Sequence, residues 1–120
     1  MLINELSKKS GISTHTIRFY EKSGLIKGYR KESVTSNNYY HFDEENLERL
    51  EMISEAKSVG FTISEIAQLI DAWYSNKFSK KQKLAILDEK LLALEQKLKE
   101  IRQMKKLITE FKNDVLEDRC

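Results

Sequence analysis

The sequence predicts a mostly α-helical chain in which a small domain containing one strand pair is followed by a long helix that pairs with a second copy of itself. Three observations carry this expectation. Short segments with apolar residues at helical spacing end in glycines or begin at capping residues. One segment, "LIKGYRKESVTSNNYYHF", breaks that spacing with β-branched and aromatic residues around a Ser/Thr/Asn cluster. From Ser79 onward, apolar residues recur at alternating intervals of three and four.

The elements follow in order. "INELSKKSG" puts Ile3 and Leu6 on one side of a first helix, with Gly11 past its end. "STHTIRFYEKSG" starts at the capping candidate Ser13 and stops at Gly24, giving a second short helix after a tight turn. Ile12 and Ile17 are available to pack between the two, and Phe19 reads as core together with Ile17. Two short strands around a loop come next. Asp43 caps a third helix through "EENLERLEMISEAKSVG", where Leu47, Leu50, Ile53 and Ala56 form a stripe. Thr62 and Glu65 have capping-box spacing and open a fourth helix with Ile66, Leu69 and Ile70 facing inward.

A second capping box, "SKKQ", opens the last helix. Its stripe runs through Leu84, Leu87, Leu91, Leu94, Leu98 and Ile101, then slips by three residues to Met104, Ile108, Phe111 and Val115. With no Gly or Pro from Ser79 to Phe111, that helix is roughly 50 Å long at 1.5 Å per residue. A lone helix would leave the stripe in water, and a second copy is the simplest cover, so a homodimer is expected. The expected organisation is a DNA-binding domain over 1–75, a dimerisation helix over 79–112 and a short tail over 113–120.

Composition limits the function. At 120 residues, the chain has room for one small domain and one long element. No apolar run approaches the roughly 20 residues of a membrane span, and "MLINELSKKS" lacks a signal-peptide core, so a cytoplasmic protein is expected. Residues 1–42 hold seven Lys/Arg against three Asp/Glu, whereas residues 43–78 hold three against eight. A basic first third beside an acidic middle suggests a face for a polyanion.

Two short helices around a glycine-containing turn make a helix-turn-helix, whose second helix lies in the DNA major groove with its first turns at the base edges. That assigns Thr14, His15, Thr16 and Arg18 to the DNA. The adjoining strand pair, with Arg30, Lys31, Tyr39, Tyr40 and His41, supplies basic and aromatic groups for a wing on the backbone. Catalysis is not expected: both histidines lie in the DNA-reading third, and there is no Gly-rich phosphate loop. A coiled-coil adaptor without DNA function is the rival reading.

"INELSKKSGISTHTIRFYEKSGLI", followed by "NNYYHFDEENLERLEMISEAKSVGFTISEIAQLI" and a long helix, resembles the MerR family of bacterial transcription regulators over nearly the whole chain. The most specific pieces are "TIRFYE", the aromatic lead into "FDEENLERL", and "GFTISEI". The resemblance implies a winged helix-turn-helix on each subunit and antiparallel pairing of the long helices. It further implies a dimer on a pseudopalindrome in double-stranded promoter DNA, which it bends and untwists so that RNA polymerase at the same promoter can engage. Carried over by position, Arg18, Tyr20, Arg30 and Tyr39 would hold the DNA backbone. Two departures fall in the wing: Asn38, Tyr39 and Tyr40 stand where the family often has Gly-Tyr-Arg, and the loop is long and free of proline.

The effector is open. The single cysteine, Cys120, cannot supply the four thiolates of an iron-sulfur cluster. Three readings stand: nickel or zinc held between subunits by Cys120 with Glu117, Asp118 or a histidine; an electrophile or oxidant acting on Cys120; or no role for this thiol.

Overall fold

The computed structural model describes residues 1–30 and 40–119, with only the backbone of Tyr40 included. Its elements run α1 (Ile3–Ser10), α2 (Thr14–Lys22), β1 (Tyr29–Arg30), β2 (Tyr40–His41), α3 (Glu44–Ser58), α4 (Ile63–Tyr74) and α5 (Lys80–Leu116). All five expected helices and both strands are present. The chain divides into two compact units, Met1–Lys77 and Phe78–Cys120.

The caps form as the side chains dictate. Ser13, Asp43 and Thr62 each accept a backbone N–H from the residue three positions on, and Thr62 with Glu65 closes a reciprocal capping box. Between α1 and α2 the turn is pinned from both sides: Ser7 Oγ donates to the Ile12 carbonyl at 2.6 Å and Ser10 Oγ accepts the Ile12 N–H at 3.2 Å. Gly11 sits at φ 73°, where a side chain would be strained. At the end of α2, Gly24 takes φ 80° and the Leu25 N–H returns to the Tyr20 carbonyl at 2.9 Å, which turns the chain sharply back into the core.

The core of the first unit is built by Leu6 of α1, Ile17 of α2, Leu25, Ile26 and Phe42 around the strands, Leu50 and Ile53 of α3, and Ile66, Leu69 and Ile70 of α4. Leu47, expected in the α3 stripe, is only half-buried, and the fully enclosed position one residue earlier is Asn46. Asn46 is a polar clamp. Its Oδ1 accepts the Lys27 N–H and its Nδ2 donates to the Lys27 carbonyl, both at 3.0 Å, while Nδ2 also reaches Asp43 Oδ1 at 2.9 Å. Arg49 adds a bond from Nη1 to the Leu25 carbonyl at 3.2 Å, so α3 holds the segment that leads from α2 into β1. Asn46→Leu should destabilise the domain by about 2 kcal/mol in urea unfolding, because both Lys27 backbone groups lose their partner. A loss below about 0.5 kcal/mol would mean that water replaces the clamp at no cost.

Arg49 also lies over Tyr74, with the guanidinium carbon 4.6 Å from the ring centroid. Burial, and after it the carboxylate of Glu48, hold the Tyr74 phenol above its ordinary range, with Arg49 opposing them.

In the second unit, α5 starts at the expected box: Ser79 Oγ accepts the Gln82 N–H at 3.1 Å, and Gln82 Oε1 accepts the Ser79 N–H at 2.7 Å. It runs unbroken for 37 residues and ends four residues beyond the expected Lys112 boundary. The reason is the true stop signal, which lies later. Asp118 turns to φ 55°, and the Arg119 N–H closes on the Asp114 carbonyl at 2.8 Å. Arg119 then pairs with both Asp114 and Glu117 across that end. Leu84, Leu91, Leu98, Ile101, Met104, Ile108, Phe111 and Val115 are all exposed in the single chain. Among the described residues, no helix is long and apolar enough to cross a membrane.

Candidate nucleic-acid interface

Helix α2 divides its residues between two faces. At 100° per residue, Ile17 and Tyr20 fall on the inner side and are 0% and 3% exposed. His15, Arg18, Phe19 and Lys22, at i, i+3, i+4 and i+7, form one continuous exposed face. Thr14 and Thr16 flank its first turn and are half-buried. Ser13 holds that turn by accepting the Thr16 N–H at 3.2 Å and donating to Thr16 Oγ1 at 2.9 Å. Glu21, the one acid of α2, is half-buried and turned aside, accepting the Gly28 N–H at 3.3 Å. What remains outward is basic and aromatic.

Two expectations are corrected here. Tyr20 was expected on the DNA backbone, but its ring belongs to the core, and its hydroxyl lies 3.4 Å from Lys57 Nζ of α3. Phe19 was expected in the core with Ile17, but it is 50% exposed. The cause is the helical rotation: at 100° per residue Tyr20 lies about 60° from the buried Ile17 and Phe19 about 200° from it, so the rotation that buries Ile17 turns Tyr20 inward and Phe19 outward.

The strand pair is antiparallel, with Tyr29 opposite His41 and Arg30 opposite Tyr40. Tyr29 and Arg30 are exposed, and the Tyr29 and His41 rings lie 5.9 Å apart with a 32° tilt. Tyr29 is an addition to the expected wing residues. Its signal was present in "GYRK", an aromatic next to Arg30 at a strand position. Beyond the strand, the Phe42 N–H donates to the Met1 carbonyl at 2.6 Å, so the start of the chain lines the end of the wing. Lys31, Tyr39, Cys120 and the side chain of Tyr40 lie outside the described residues.

A helix with an exposed basic face, capped at its first turn and adjoined by a two-stranded wing, has the parts required to enter a major groove and touch the flanking backbone. The family model described as the MerR HTH family regulatory protein matches residues 1–73, which contain both parts. The chain belongs to the MerR family. A second family model, MerR DNA binding, matches residues 47–111 and so takes in α4 and most of α5.

Among relatives, a probable heavy metal-dependent transcriptional regulator of Haemophilus influenzae is 45% identical over 71 residues, covering 58% of this chain and 52% of that protein. A ZntR homolog from the same organism is 33% identical over 89 residues, covering 74% of this chain and 64% of that protein. The matched region thus spans between about half and two-thirds of the length of these curated relatives. The crystal structure of the transcription regulator PbrR691 from Ralstonia metallidurans CH34, in complex with lead(II), superposes with a TM-score of 0.81 at 27% identity, covering 95% of this chain and 87% of that one.

Proposed function

We propose that this MerR-family chain is a homodimeric transcription regulator that binds double-stranded promoter DNA and changes its shape, so that RNA polymerase can engage a promoter whose recognition elements are otherwise misplaced. The observation that carries this reading is the outward face of α2, formed by His15, Arg18, Phe19 and Lys22, beside the exposed Tyr29 and Arg30 of the wing. His15 with Thr14 and Thr16 is assigned to the base edges, and Arg18 and Arg30 to phosphates. Lys31, Tyr39, Tyr40 and His41 complete the wing in this reading. Dimerisation is supported by the exposed stripe of α5. Bending and untwisting a site of this size costs on the order of 1–6 kcal/mol, which phosphate contacts from two subunits offset.

The effector reading with most support among relatives is a metal ion, since one is described as heavy metal-dependent and the superposed PbrR691 structure holds lead(II). The residues at hand fit it poorly. Among the described residues, no group of three His, Cys, Asp or Glu is placed to hold a metal ion, and Glu117 is already paired with Arg119. A nickel or zinc site would therefore need Cys120 and further donors beyond these.

The test is binding of the purified chain to its own upstream intergenic DNA across a salt series, with the bend followed by fluorescence transfer between end-labelled strands. Affinity that falls steeply with salt, and a bend that changes when nickel or zinc is added, is the expected result. Weak binding that is insensitive to salt would instead favour the coiled-coil adaptor. Titration with nickel and zinc beside a Cys120→Ser variant isolates the metal reading, which fails if neither protein binds.

A further inference from the structure

We propose that Phe19 reads a thymine in each half-site through the 5-methyl group of that base, an inference that rests on the DNA-binding reading above. The first ground is exposure. Phe19 is half in water on a helix whose other large apolar side chains, Ile17 and Tyr20, are buried. Its ring leans on Tyr20 with centroids 5.8 Å apart and a 54° tilt, so a core residue holds it in place on the outer face.

The second ground is the company it keeps. His15 lies one turn before it, Arg18 beside it and Lys22 one turn after it, while the only acid of the helix is turned away to the Gly28 N–H. An apolar protein surface is a poor partner for a ring set beside the cations of Arg18 and Lys22. A polyanion with apolar spots suits it. The phenyl ring has no hydrogen-bonding group, so it can take neither a phosphate oxygen nor a base-edge donor or acceptor. The apolar group that the major groove offers is the thymine methyl. In this arrangement His15 and the threonines read donors and acceptors, and Phe19 adds a methyl requirement that hydrogen bonding cannot encode. Two-fold symmetry of the dimer would place the two thymines at inverted positions.

The experiment uses the full chain and the upstream duplex that it protects from nuclease. Each thymine in the protected region is replaced in turn by deoxyuridine, which removes the methyl and leaves pairing unchanged. The wild-type chain should lose about fourfold in affinity at one thymine per half-site, the factor for one methyl-sized group returned to water. Phe19→Ala should bind the thymine duplex more weakly and no longer distinguish thymine from uracil at that position. Phe19→Leu should retain part of the discrimination. Because the ring is half exposed and packs on Tyr20, thermal melting should match the wild type for Phe19→Leu and fall slightly for Phe19→Ala, and the thymine-to-uracil comparison made within each variant separates reading from folding. Protection with no Phe19-dependent methyl effect at any position overturns this inference alone. No protection and no salt-sensitive binding by the wild type overturns the regulator reading beneath it.

Discussion

Replacing Leu91 and Leu98 together with glutamate should convert the protein to a monomer and weaken its operator binding by at least about 100-fold. Both side chains lie on the α5 stripe and are 59% and 48% exposed in the single chain. Burying each against a partner is worth about 1.5–3 kcal/mol, and introducing carboxylates there removes that gain and adds like charges to a symmetric interface. The loss at the operator is larger than the loss of any one contact. A dimer presents its second recognition helix at an effective concentration near the millimolar range, and a monomer forfeits that advantage entirely. Sedimentation and fluorescence anisotropy would read the two effects separately. Gln96→Glu, on the side of α5 away from the stripe, adds charge without touching the seam and should leave both unchanged. Retained dimers in the double variant would show that another surface joins the subunits; a monomer that binds its operator undiminished would remove the two-half-site arrangement.

Arg18→Ala is expected to weaken DNA binding by roughly 10-fold or more, and about equally on operator and unrelated DNA. Arg18 is exposed on a face that also carries His15 and Lys22, away from the core of its domain. If it neutralises one phosphate per subunit, the slope of log affinity against log salt should fall by about 0.9 for each Arg18, hence about two for the dimer. Arg18→Lys should keep most of that slope while losing some affinity, because a point charge replaces a planar fork. Thermal stability should stay within about 0.5 kcal/mol of wild type. An unchanged salt slope would place Arg18 off the backbone. A loss confined to one operator sequence would make it a base reader instead.

What the chain reveals about itself before folding is local. Each helix start except the first is signalled by a side-chain oxygen three residues from the N–H it satisfies, and Ser13, Asp43, Thr62 and Ser79 all make that bond. Gly24 is legible for the same reason, since only its own backbone freedom is needed to stop α2. The α5 stripe is legible because repetition over many turns outweighs any single exception. The late end of α5 shows the limit: Asp118 gives a weaker stop signal than a glycine, and the closing bonds to Asp114 and Val115 exist only once the turn has formed.

The candidate interface divides along the same line. Composition and spacing mark α2 and the strand pair as a basic, aromatic surface, and family-specific segments such as "TIRFYE" connect that surface to DNA. Which of Phe19 and Tyr20 faces outward is decided by what α2 packs against, because both are large, apolar and adjacent, and rotation about the helix axis is set by the partner surface rather than by either residue. Asn46 is the same kind of case. A polar residue beside Leu47 reads as solvent-facing until the Lys27 backbone is brought against it, when its amide becomes the group that holds the wing's approach in place. Helix starts, caps and the apolar α5 stripe are properties of neighbours in sequence and could be read from the chain alone; the orientation of α2, the Asn46 clamp and the Tyr29–His41 pair are properties of segments in contact, and only the folded structure brings those segments together.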